Sequence, residues 1–147
     1  MDKKFIENIL SAHLAPLGYK KKGNNWILKN HEITKSVNLQ KSSFSNLFYI
    51  NYSYTINSLP LESLVSHIYN RIASLDLNEL NELNLLLDLD SSISIDKRYL
   101  GLTDIIVKNL IPEIQAINSE NDIYELLKKR SELNNIPFNV KKYFNLI

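Results

Sequence analysis

Apolar residues at the start of the chain recur at spacings of three and four. Phe5, Ile6, Ile9, Leu10, Leu14 and Leu17 form one stripe, with His13 on it. That pattern predicts a helix over residues 2–15 with one buried face. Asp2 suits its N-cap, and Pro16 and Gly18 end it. The period then drops to two. Trp26 and Leu28 share a face of a short strand that follows the Gly23-Asn24-Asn25 turn. Residues 33–42 alternate, with Ile33, Lys35, Val37, Leu39 and Lys41 on one face. Residues 47–56 alternate more clearly: Phe48, Ile50, Tyr52, Tyr54 and Ile56 point one way, Tyr49, Asn51, Ser53 and Thr55 the other. β-Branched and aromatic residues at period two mark strands, and the short turns between them favour an antiparallel meander.

After Pro60 the spacing returns to that of a helix. Leu61, Leu64, Val65, Ile68, Tyr69 and Ile72 form a second stripe, which predicts a helix there. Leu77, Leu80, Leu83, Leu86 and Leu87 predict another, and Asp88 to Ser94 a break. Tyr99 to Ile117 reads as a long helix that Pro112 kinks or restarts. Ser119 and Asp122 approximate a capping box before Ile123, Leu126 and Leu127. The tail from Asn134, apolar after Pro137, is expected to dock on the body. Strands and helices are segregated, so the fold class is α+β. The expected architecture is an N-terminal helix, an antiparallel meander of three to four strands, and C-terminal helices packed on one face of the sheet. Residues 1–147 read as a single domain.

Composition narrows the chemistry. The chain has 147 residues, no cysteine and three glycines. A thiolate metal site, a cysteine nucleophile, a phosphate-cradling glycine loop and a dinucleotide fingerprint are therefore excluded. No cofactor is expected. Apolar runs such as Leu85 to Leu87 are far short of a membrane span. Glu7, Asn8 and His13 interrupt the N-terminal run, so a secretory signal is not expected and a cytoplasmic location is. The formal net charge is +1, which disfavours general nucleic-acid binding. That charge is unevenly spread. Residues 1–57 carry eight lysines and three acids, a net +5; residues 58–147 carry nine basic residues and 13 acids, a net −4.

Three groups of residues are candidates for function. Asp76, Glu79, Glu82, Asp88 and Asp90 lie in a stretch with no basic residue from Arg71 to Lys97. They could contact a basic partner. Asn38, Gln40, Asn51 and Ser53 would line the less apolar face of two neighbouring strands, a hydrogen-bonding surface for a protein or small ligand. Lys20, Lys21, Lys22, Lys29, Lys35 and Lys41 fall near the strands with Tyr19, Trp26 and Tyr49 interleaved. Such a sheet could bind single-stranded nucleic acid. The histidines, His13, His31 and His67, have no second ligand at a metal spacing, so no metal site is expected. No nucleophile elbow is present, and Glu79 with Glu82, or Glu120 with Glu125, sit as exposed helix carboxylates. No catalytic residue is assigned.

The run Gly18-Tyr19-Lys20-Lys21-Lys22-Gly23-Asn24-Asn25-Trp26, then Val37-Asn38-Leu39-Gln40-Lys41-Ser42 and Phe48-Tyr49-Ile50-Asn51, resembles a bacterial family of domains of unknown function numbered 4304. Leu14-Ala15-Pro16-Leu17-Gly18-Tyr19 is similar to the end of that family's leading helix, departing at Ala15 and Tyr19. His67-Ile68 followed by Arg71-Ile72 resembles a stretch of its next helix. The resemblance covers roughly residues 5–75. It implies an α+β domain with an antiparallel sheet and brings no catalytic residues. Small bacterial families of this kind resemble immunity proteins, so the expected function is non-enzymatic: binding and occluding a cognate toxin. The alternatives are a single-stranded nucleic-acid-binding module on the lysine and aromatic sheet, and an enzyme of unrecognised type. An enzyme would need a polar pocket near His67 and Arg71, or near Asn38, Gln40 and Asn51.

Overall fold

The computed structural model of the protein describes residues 2–73 and 76–147. α1 (Lys3–Leu14) opens the chain, capped by Asp2, whose side chain accepts the Lys4 N–H. A 3₁₀ turn at Ala15–Leu17 ends at Gly18 with φ 96°, a left-handed conformation that favours glycine. Five strands follow: β1 (Lys20–Lys22), β2 (Asn25–Lys29), β3 (Ile33–Lys41), β4 (Phe48–Ile56) and β5 (Ile68–Arg71). They form one sheet in chain order, every neighbour antiparallel. The helices come after: α2 (Leu77–Leu87), α3 (Ile95–Ile105), α4 (Ile111–Gln115), α5 (Glu120–Lys128) and α6 (Phe138–Tyr143). Between α3 and α4 lies a π turn, Ile106–Leu110, in which the Ile111 N–H donates to the Ile106 carbonyl. Pro112, which has no N–H, sits at the start of α4, so the long helix is restarted where the sequence places a proline.

The segment after Pro60 is not a helix. Residues 61–67 form turns and bends, and Ile68–Arg71 is the fifth strand. Val65, on the expected buried stripe, is 94% exposed. The physical reason is the free edge of β4, which offers backbone partners. Ile68 pairs with Tyr54 and Arg71 with Asn51, and the flanking Ile72 N–H donates to the Ile50 carbonyl. A ladder of shared hydrogen bonds outweighs a stripe whose apolar residues would have had no second surface to cover.

One face of the sheet carries the core. Trp26, Val37, Leu39, Phe48 and Ile50 pack with α1, α2, α3 and the π turn. Ile33, Tyr54, Ile56 and Ile68 pack with α5, α6 and the segments around Ile117 and Ile136. The tail docks in part: Val140 is fully buried and Phe144 and Leu146 pack against the core, while Phe138 and Ile147 are exposed. Two buried cations cap helix ends. Lys35, on the apolar side of β3, donates to the Ile114 carbonyl (2.8 Å) near the end of α4 and to Asn118 Oδ1 (3.0 Å). Burial pushes its ammonium below its usual range, against the attraction of Asp122. Arg98 on α3 donates Nη1 to the carbonyls of Leu85, Leu86 and Asp88 and Nη2 to Ser91, fixing the end of α2 and the turn after it.

Candidate interaction surfaces

All the core-forming strand residues lie on the side that faces the helices. Period two therefore puts the other half on the opposite side. The registers align them in rows. Lys22, Asn25, Asn38, Asn51 and Arg71 are successive partners across all five strands. Four strand spacings of about 4.8 Å make this row roughly 19 Å long. The next row holds Lys20, Ile27, Ser36, Ser53 and Tyr69. Lys29, Thr34 and Thr55 form a third, and Gln40 lies opposite Tyr49. The expected polar face on β3 and β4 is present, with Asn38 beside Asn51 and Ser53 beside Ser36.

The first row is wired together. Asn38 Nδ2 donates to Asn25 Oδ1 (2.9 Å), and Asn51 Nδ2 donates to Asn38 Oδ1 (3.2 Å) and Gln40 Oε1 (2.9 Å). Arg71 Nε donates to Asn51 Oδ1 (2.9 Å) and its Nη2 to Gln40 Oε1 (2.9 Å). The guanidinium lies over the Tyr49 ring, 4.0 Å from its centroid. Tyr69, 53% exposed, brings its hydroxyl to 3.5 Å from Gln40 Oε1. Asn51 is fully buried beneath these groups although it sits on the helix-free face. A buried amide is tolerated only when its donors and acceptor are satisfied, and here the satisfaction is mutual. The outcome is an arginine held flat by neutral amides. Among the described residues it makes no ion pair. It also borders a cleft of about 320 Å³ with Tyr52, Lys108, Asn109 and Glu113.

The acidic candidates do not form one cluster. Asp76 caps α2 and accepts from the Asn78 and Glu79 N–H groups. Asp88 and Asp90 lie past the other end of this helix of 11 residues, a rise of about 16 Å. Asp88 Oδ1 accepts the Asp90 N–H, and Asp90 Oδ1 accepts from Asn46. Glu79 and Glu82 line a groove of about 300 Å³ between α2 and α3, floored by Leu83 and Leu86 and joined by Asp104. Gly101 belongs to the same lining; a Cβ there would lie 2.7 Å from Leu86 Cδ2. Asp104, which the sequence did not single out, is paired with Lys108 at 2.8 Å.

The lysine and aromatic group divides between the two faces. Tyr19 and Trp26 are buried on the helix side, and Trp26 Nε1 donates to Ser11. Lys35 is buried there too, and Lys41 is bound to its own turn through the Ser42 and Ser45 carbonyls. Lys20, Lys22 and Lys29 remain on the helix-free face. His67 is buried: Nδ1 accepts the Ile56 N–H (2.9 Å) and Nε2 lies 3.3 Å from the Pro60 carbonyl. Arg71 was legible only as a residue near His67; its place at the end of the amide row needed the register of β5. Among the described residues no group of three or more His, Cys, Asp or Glu could hold a metal ion, and no helix is long and apolar enough to cross a membrane.

The family model described as a domain of unknown function (DUF4304) matches residues 10–126. It spans β1 to β5 and all the acidic candidates. No curated protein and no solved structure matches the chain.

Proposed function

The chain belongs to this family of domains of unknown function, and from that premise we propose that it is a non-enzymatic protein-binding domain of the immunity type. It would act by covering the working surface of a cognate bacterial toxin in the cytoplasm. The observation that carries this reading is the helix-free face of the sheet. It spans five strands, and its amides fix Arg71 flat on Tyr49. Arginine and tyrosine in a restrained arrangement are the residue types that dominate protein interfaces. A surface ordered before contact loses less entropy on binding. His67, near which an enzyme would need a polar pocket, has both ring nitrogens directed at backbone groups.

The test is co-expression with the product of the adjacent gene. The wild-type chain should co-purify with it and restore growth. Arg71→Ala should weaken the complex by about 2 kcal/mol, roughly thirtyfold in Kd, and should also lower the urea midpoint, because it takes the Nε donor from the buried Asn51 carbonyl. A chain that neither binds nor protects against its neighbour's product would sink the proposal.

A further inference from the structure

We infer that the partner presents carboxylates to the helix-free sheet face, with Arg71 as the anchor at one end and Lys20, Lys22 and Lys29 toward the other. This rests on the protein-binding reading above and adds the partner's chemistry. The five strands contain seven basic residues and no acid. Period two and the registers place four of the seven on the helix-free face. Lys22 and Arg71 stand at opposite ends of one row, so the positive charge flanks a polar floor.

Arg71 is built to keep its charge available. Its two hydrogen-bond partners are neutral amides, which orient the guanidinium without cancelling it. Of the five N–H donors a guanidinium carries, three are left without a protein partner among the described residues. Two of those belong to Nη1 and one to Nη2, the edge of the fork that pairs with a carboxylate through two parallel bonds. Stacking on Tyr49 removes the rotamer freedom that such a contact would otherwise have to freeze.

The same face argues for a protein occupant over a nucleic acid. Base stacking needs free ring faces. The helix-free face has two aromatic side chains, Tyr49 and Tyr69, and Arg71 already covers one side of the first. The central positions are Thr34, Ser36, Asn38, Ser53 and Thr55, short side chains that a protein surface can approach closely.

The inference is tested with poly-L-glutamate, poly-L-lysine and single-stranded oligouridylate of matched length. Each is titrated into the full chain and followed by amide chemical shifts at low and high salt. Poly-L-glutamate should shift the amides of Lys22, Asn38, Asn51 and Arg71, and salt should weaken its binding. Arg71→Ala should reduce the affinity about tenfold, and Arg71→Lys should recover only part of it, because an ammonium cannot make the fork. Paired Lys22→Glu and Lys29→Glu changes give a second readout that leaves the amide row intact. Lys128→Ala on α5 should change nothing. Tighter binding of the oligouridylate, shifts centred on the helices, or no binding at low salt would each overturn the inference. A cognate protein that binds this face through a neutral or basic patch would overturn the carboxylate assignment alone. Poly-L-glutamate binding on the sheet with no protein partner would leave the assignment and remove the immunity reading.

Discussion

His67 sets the position of Arg71, because it pins the loop that delivers β5 to the sheet. Its Nδ1 accepts the Ile56 N–H, so the ring proton sits on Nε2 toward the Pro60 carbonyl. A second proton would set two N–H groups against each other. Burial lowers the pKa of this imidazole, and the Pro60 carbonyl opposes the shift. An unfolded histidine titrates near 6.5. Below that pH the unfolded chain takes up a proton that the folded chain resists, so stability falls as pH falls. The contribution is complete above about pH 6.5 and is lost on going down toward the depressed native value. Urea unfolding should give a lower midpoint at about pH 5 than at about pH 7.5. His67→Asn, whose side-chain oxygen can still accept the Ile56 N–H, should flatten that difference. An equal slope in the variant would show that the dependence arises elsewhere.

At the scale of elements, α2 and α3 pack closely at Leu86, and a glycine permits it. Gly101 has ordinary helical backbone, so its role is space: an added methyl would meet Leu86 Cδ2 at 2.7 Å and Cδ1 at 2.8 Å. Alanine gains about 0.8 kcal/mol of helix propensity over glycine. Overpacking against buried Leu86 costs about 1–3 kcal/mol. Gly101→Ala should therefore destabilise by about 1 kcal/mol in urea unfolding, the difference of those two effects. Adding Leu86→Ala should remove the steric part, so the pair should be less destabilising than the sum of the singles. The elements also show what a sequence reveals. Long strands such as β3 and β4 display their period over nine residues each, and the polar row of Asn38, Gln40, Asn51 and Ser53 could be read from it. β5 has four residues, too few for a period, and its flanking leucines imitate a helix. What makes it a strand is the edge of β4, which lies outside the segment. Arg71 was therefore placed on a helix, away from the amides that hold it. Arg98 is a similar case: the carbonyls it caps become neighbours only after α2 and α3 pack.

At the scale of the molecule, the near-neutral total is the sum of a basic part, +5 over residues 1–57, and an acidic remainder, −4 over residues 58–147. The basic sheet face and the acidic α2–α3 groove make opposite demands on a partner, and charge reversal separates them. If the sheet face binds, Glu79→Lys with Glu82→Lys should leave the partner's Kd within about twofold, while Arg71→Ala weakens it about thirtyfold. A large loss from the glutamate changes, with Arg71→Ala silent, would move the contact to the α2–α3 groove. Such a division depends on the sheet keeping one face bare, and a bare sheet is exposed to a hazard. Strands from other molecules can add to its ends, and the product is a fibre. β1 consists of Lys20, Lys21 and Lys22, all exposed. Lys21 is engaged by Glu7 and Trp26, but the ammonium groups of Lys20 and Lys22 on an end strand repel the same strand of another molecule. The lysines thus do more than colour the surface. They oppose end-to-end growth of the sheet, and neutralising these lysines should raise aggregation in a concentration series followed by light scattering.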